Sequence, residues 1–115
     1  MLWLPALAWA GGIFVLSSLT VPTRPPLFPQ EDKAAHLALF GALAWWLFQP
    51  LARTHGLAFA KAALLACLLT SIYGMLDELH QLFTPGRMCD IRDWAADSVG
   101  GLTVWLTARW PRRRT

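Results

Sequence analysis

The amino-acid sequence predicts an all-α integral membrane protein, a bundle of four transmembrane helices, and three observations predict it. Its 115 residues are 56% hydrophobic and only 15% charged, with a mean hydropathy of +0.41, more apolar mass than a soluble domain of this size can bury. Four apolar runs of roughly 20 residues, joined by short polar or Pro-containing breaks, use nearly the whole chain and leave room for one domain, residues 1–115. Trp is frequent, with seven copies. Trp3, Trp94 and Trp110 stand near the ends of runs, where amphipathic rings favour the headgroup level, while Trp9, Trp45, Trp46 and Trp105 lie inside runs and read as packing residues.

The first predicted helix covers residues 2–19 and stops at the stretch containing Pro22, Pro25, Pro26 and Pro29, which cannot continue a helix. With no basic segment before it and an apolar run longer than a signal-peptide core, it is expected to be retained as a span. The second covers residues 34–51, after an acidic first turn at Glu31 and Asp32 that suits the helix dipole. The third covers residues 57–80. Lys61 can snorkel near its start, and it turns polar at Asp77, Glu78, His80 and Gln81. Pro85, Gly86 and Arg87 make a turn before the fourth helix, residues 93–110. Small residues recur four apart at Ala34, Ala38, Ala42, at Ala58, Ala62, Ala66 and at Ala96, Gly100, a spacing that lets backbones approach closely in lipid.

Four spans put both termini and the loop between the second and third helices on one side. That side carries Arg53, Lys61, Arg109, Arg112, Arg113 and Arg114, which places it in the cytoplasm of a bacterial-type inner membrane. The other side holds Arg24, Lys33, Arg87 and Arg92 with all seven acids, so the extracytoplasmic face is acidic and suggests a polar site there. The basic C-terminal cluster follows a Trp and reads as a membrane stop signal; no nucleic-acid module is visible. Cys67 and Cys89 are far apart in unlike surroundings and fit neither a disulfide framework nor a zinc motif.

Three stretches stand together at that acidic face: Asp32, Lys33 and His36 opening the second helix, Asp77, Glu78 and Gln81 closing the third, and Pro85-Gly86-Arg87 followed by Asp93, Asp97 and Gly101. In its small multi-helix architecture, its DK-x-x-H and DE-x-x-Q motifs, and its PGR turn before an acidic helix start, the chain resembles the VanZ family over about residues 28–108. The resemblance implies a cell-envelope membrane protein and a link to resistance to the glycopeptide teicoplanin, with no reaction implied. One position departs: where the family often has Asn before the glycines of the last helix, this chain has Asp97, a further negative charge.

The residues themselves support binding chemistry. Asp32 and His36 are one turn apart, so the carboxylate can orient the imidazole or simply cap the helix. Glu78 and Gln81 share a face and can form a functional ridge or a solvated helix end. Arg87 can clamp a phosphate or carboxylate or pair internally with an acid. Asp93 and Asp97 crowd like charge on one face, which Lys33 or Arg87 can offset. No metal is expected, because Glu78 and His80 point about 200° apart on a helix and no HExxH or Cys-rich spacing is present. No nucleophile motif, P-loop or cofactor fingerprint occurs, so no cofactor is expected and catalysis is left open. The candidate cluster is therefore Asp32, Lys33, His36, Glu78, Gln81, Arg87, Asp93 and Asp97. The partners expected are the bilayer and a lipid-linked envelope ligand. An envelope enzyme and a structural or assembly protein remain the alternatives, and the oligomeric state is open.

Overall fold

A computed structural model describes residues 3–18, 31–83 and 91–107. They form four helices and no strand: α1 (Trp3–Ser18), α2 (Glu31–Arg53), α3 (Phe59–Gln81) and α4 (Ile91–Thr107). Pro5 is accommodated in the first turn of α1, where its missing N–H has no intrahelical partner to lose. α2 starts three residues before the predicted boundary, because residues 31–33 are themselves helical and begin the helix with Glu31, an acid at the positive end of the dipole. It also runs through Pro50 to Arg53, and the Pro50 carbonyl accepts from the N–H groups of Thr54 and His55 to close the end. Gly56, at φ 65°, supplies the left-handed residue that turns the chain into α3.

α2 between Lys33 and Arg53 and α3 between Phe59 and Gln81 are long and apolar enough to cross a bilayer. At 16 residues α1 is apolar but shorter, and the 17-residue α4 carries Arg92, Asp93 and Asp97. The expectation of four helices is met, and length and composition qualify two of them as spans.

The clearest sign of the solvent is the arrangement of α3. Its buried face is small or polar: Ala62, Ala63, Ala66, Cys67, Thr70, Gly74, Asp77, Glu78 and Gln81. Its outer face is large and apolar, including Leu64, Leu68, Ile72 and Leu76. A water-soluble helix has the reverse pattern, so this one is built to present hydrocarbon outward and to pack closely inward.

The helices alternate in direction. The ends of α1 and α3 meet at Ser17 and Gln81, the starts of α2 and α4 meet at His36 and Asp97, and Glu78 near the end of α3 joins His36 and Asp93 at those starts. At the opposite end Phe48, Leu51, Ala63, Cys67 and Val104 form an apolar core edged by Trp45, Phe59 and Trp105. Ile13, Phe40 and Leu43 fill the middle. α2 and α4 approach most closely at Gly41 and Gly100: a Cβ on Gly100 would stand 2.6 Å from the Leu37 carbonyl oxygen and 2.9 Å from the Gly41 nitrogen. Gly100, from the predicted small-residue pair on α4, is thus a true contact position, whereas Ala34 and Ala38 of the α2 ladder are exposed.

Candidate functional site

The close packing of α2 on α4 brings two polar helix starts face to face. Lys33 and His36 share one face of α2 at a spacing of three, and Asp93 and Asp97 share one face of α4 at a spacing of four. Across the seam Lys33 Nζ lies 2.7 Å from Asp93 Oδ1, as an ion pair without hydrogen-bond alignment. Asp97 is fully buried and its Oδ1 is 2.7 Å from His36 Nδ1. With Asp97 ionised, Nδ1–H is the donor and the ring's remaining nitrogen, Nε2, faces Asp93 Oδ2 at 4.0 Å.

Glycine makes this geometry possible from the α3 side. A Cβ on Gly74 would stand 2.9 Å from both Cβ and Oδ2 of Asp97, so the aspartate fits into a notch that any side chain would fill. Ser71 and Ser98 are hydrogen bonded at 2.9 Å, and Trp94 Nε1 donates to the Ser71 carbonyl at 3.0 Å, fixing α3 against α4 beside the notch.

The end of α3 sorts its polar residues. Asp77, Glu78 and Gln81 turn inward and are buried. Gln81 Nε2 donates to Ser17 Oγ at 3.2 Å, tying α3 to the end of α1. His80 turns the other way, 2.8 Å from Ser18 Oγ and stacked on Phe14. Glu78 instead joins His36 and Asp93, with one nitrogen or carboxylate oxygen of each within 4.8 Å of the others.

Beside the cluster, a cavity of about 300 Å³ mixes Ser17, Glu31, His36, Asp77 and Gln81 with Ile13, Leu16, Leu39 and Phe40. Ile13, Leu16 and Leu39 also line a second cleft of about 350 Å³ between α1 and α2, which continues over Pro5, Trp9, Gly12 and Trp46 and is almost wholly apolar.

Of the residues singled out by sequence, Lys33, His36, Glu78, Asp93 and Asp97 come together, and Gln81 lies against α1 next to them. Asp32 is part of α2, but its side chain lies outside the described residues, as does Arg87 altogether. The carboxylate seen to orient His36 is Asp97, 61 residues away. Sequence reasoning missed Ser17, Glu31 and Gly74 as site residues; helical spacing carries no signal for a partner on another helix.

The match that decides kinship covers nearly the whole chain: the family model described as VanZ/LLP1 spans residues 3–112. The chain belongs to the VanZ/LLP1 family. Every residue of the converged cluster falls inside the matched region, so the site belongs to the VanZ/LLP1 part of the chain. No curated protein and no solved structure matches this VanZ/LLP1 chain. The arrangement can do two things chemically: it can hold a ligand by charge-assisted hydrogen bonds, and it can present an oriented imidazole whose far nitrogen faces carboxylates.

Proposed function

We propose that this VanZ/LLP1 chain is a multi-pass protein of the bacterial cytoplasmic membrane. In this reading it binds a lipid-linked envelope molecule at an extracytoplasmic site, with both termini in the cytoplasm. The observation that carries the reading is the wall the two cavities share at Ile13, Leu16 and Leu39: a polar pocket at His36, Asp77 and Gln81 adjoins an apolar cleft along α1 and α2. A ligand with a polar head and a hydrocarbon tail matches both halves, and the acidic lining favours a head that presents hydroxyl or amine donors. Membership in the family supports a role in the cell envelope, and the link to glycopeptide resistance is part of the proposal.

Native mass spectrometry of detergent-purified protein, mixed with phosphatidylethanolamine, phosphatidylglycerol and a polyprenyl diphosphate, tests the binding. One lipid class should be retained selectively, and retention should fall about tenfold in Ile13→Trp, which fills the apolar cleft, and in Gln81→Leu. Equal retention of all three classes, unchanged in both variants, would overturn the reading. Expression in a susceptible host tests the resistance link: the wild type should raise teicoplanin tolerance and His36→Ala should not.

The orientation is tested with a membrane-impermeant thiol reagent on intact cells, with Cys89→Ser as control. Cys67 should stay silent, since it is buried and its thiol donates to the Gly101 carbonyl at 3.0 Å. Labelling of Cys89 only after permeabilisation would put the cluster on the cytoplasmic side.

A second reading, an envelope enzyme, is favoured by the His36–Asp97 pair, in which a buried carboxylate orients a general base. It requires turnover of a lipid-linked substrate by purified protein, abolished in His36→Gln.

A further inference from the structure

We infer that His36, Glu78 and Asp93 form a binding site for a first-row divalent transition-metal ion, with Asp97 as the residue that positions the histidine. His80, which cannot share an ion with Glu78, does lie apart, on Ser18 and Phe14, and the site needs neither it nor an HExxH or Cys-rich spacing. The three remaining groups come from three different helices and still converge, with one donor atom of each inside 4.8 Å. Donor atoms on a common ion with arms of about 2.0–2.2 Å stand roughly 3–4 Å apart. The 4.0 Å between His36 Nε2 and Asp93 Oδ2 is too long for a hydrogen bond and stands at the wide end of that range, so the donors close by a few tenths of an ångström on an ion.

Two further observations point to a cation in particular. The first is the orientation of the ring. Asp97 engages Nδ1 at 2.7 Å, so with the carboxylate ionised the Nε2 lone pair is on the side of Asp93 Oδ2. This carboxylate–imidazole arrangement is the usual outer-sphere support of a metal-bound histidine, fixing its tautomer and raising its basicity. The second is Asp97 itself. It is 0% exposed, one oxygen rests on His36 and the other, Oδ2, has no hydrogen-bond partner among the described residues. A buried carboxylate is costly unless a positive charge stands near it, and an ion on the far edge of the imidazole supplies that charge through the ring.

The donor set selects the class of ion. One nitrogen and two carboxylate oxygens suit Zn²⁺, Mn²⁺ or Co²⁺ better than Ca²⁺ or Mg²⁺, which prefer oxygen throughout. Three protein donors leave at least one position open for water or an anionic group. Lys33 pairs with Asp93 Oδ1, and Oδ2 is the oxygen that faces His36 Nε2. The inference is independent of whether a lipid fills the adjoining cleft.

The test is metal binding by the full chain, purified in detergent and stripped with chelator, with Co²⁺ absorption and Zn²⁺ calorimetry as readouts. One equivalent should bind, with Ca²⁺ and Mg²⁺ failing to compete at a hundredfold excess. Glu78→Gln and Asp93→Asn should each weaken binding by two orders of magnitude or more. Asp97→Asn should weaken it by about 10–100-fold and shift the Co²⁺ visible band, a change that altered packing alone does not produce. Because the wild type is measured first and the amide variants preserve volume, the result does not depend on a variant that fails to fold. Absence of stoichiometric binding to folded wild type, or binding undiminished in both Glu78→Gln and Asp93→Asn, overturns the inference.

Discussion

The two ends of the bundle are built on opposite principles. Where α2 ends and α3 begins, the interior is Ala, Phe, Leu and Val, closed by the edge-to-face pairs Phe48–Phe59 and Phe59–Trp105. Where α2 and α4 begin, the interior holds His36, Glu78, Asp93 and Asp97, and the nearest packing devices are glycines. In lipid the apolar end gains little from burial as such, since hydrocarbon is as apolar as the core, and is held by van der Waals contact. The polar end has no comparable substitute in hydrocarbon, because each unpaired charge there is expensive. Stability is thus concentrated in few, specific contacts at one end and spread over many interchangeable ones at the other.

The largest effect should come from breaking the polar end. His36→Leu leaves the Asp97 carboxylate buried without its partner and should cost about 3–5 kcal/mol, read as denaturant unfolding in detergent; a loss no greater than that of a core truncation would erase the contrast. Next is Gly100→Ala, whose methyl would meet the Leu37 carbonyl oxygen at 2.6 Å. Backbone must move to admit it, so about 2–3 kcal/mol should be lost, with α2 and α4 separated in a cross-linking assay. The ion pair gives a smaller and sharper test. Lys33→Asp and Asp93→Lys should each destabilise, and the double variant should recover about 1 kcal/mol. Full recovery of folding, in protein that binds neither ligand nor metal, would favour a purely structural cluster. Smallest is Val104→Ala at the apolar end, a fully buried side chain that loses two methyl groups among many van der Waals contacts, at about 1 kcal/mol.

The helices were legible because their signals are local. Apolar runs, the Pro-rich break and the polar ends of the third run set four elements; the bounds of α2 and α3 differ from expectation by one to three residues, and the expected outer ends of the first and fourth helices, at residues 2, 19 and 110, lie outside the described residues. Ionisable residues next to apolar spans were conspicuous too, and of the eight singled out Lys33, His36, Glu78, Asp93 and Asp97 come together, while the Asp32 side chain and Arg87 lie outside the described residues. What was not legible is pairing. Asp32 stands one turn from His36 in sequence, yet the partner seen is Asp97, brought in by the Gly41–Gly100 seam between helices far apart in the chain. Helical spacing says which residues share a face and nothing of which faces meet. Gly74 was unreadable for the same reason: its role exists only once α4 lies against it. That His80 lies apart from Glu78, on Ser18 and Phe14, was readable because angles within one helix are set by spacing.

The Gly74 notch has a consequence for how this chain can change. A methyl at position 74 would occupy the space of the Asp97 carboxylate, with 2.9 Å separating it from Oδ2. The two positions therefore cannot be altered independently. Ala at 74 becomes tolerable only after 97 has been shortened, and a larger acid at 97 is admissible only while 74 stays bare. The order in which substitutions arrive then matters as much as their identity, and a route that begins at 74 is closed while one that begins at 97 is open. Measured singly and together, Gly74→Ala and Asp97→Gly should depart strongly from additivity, the pair being more stable than the sum of its parts.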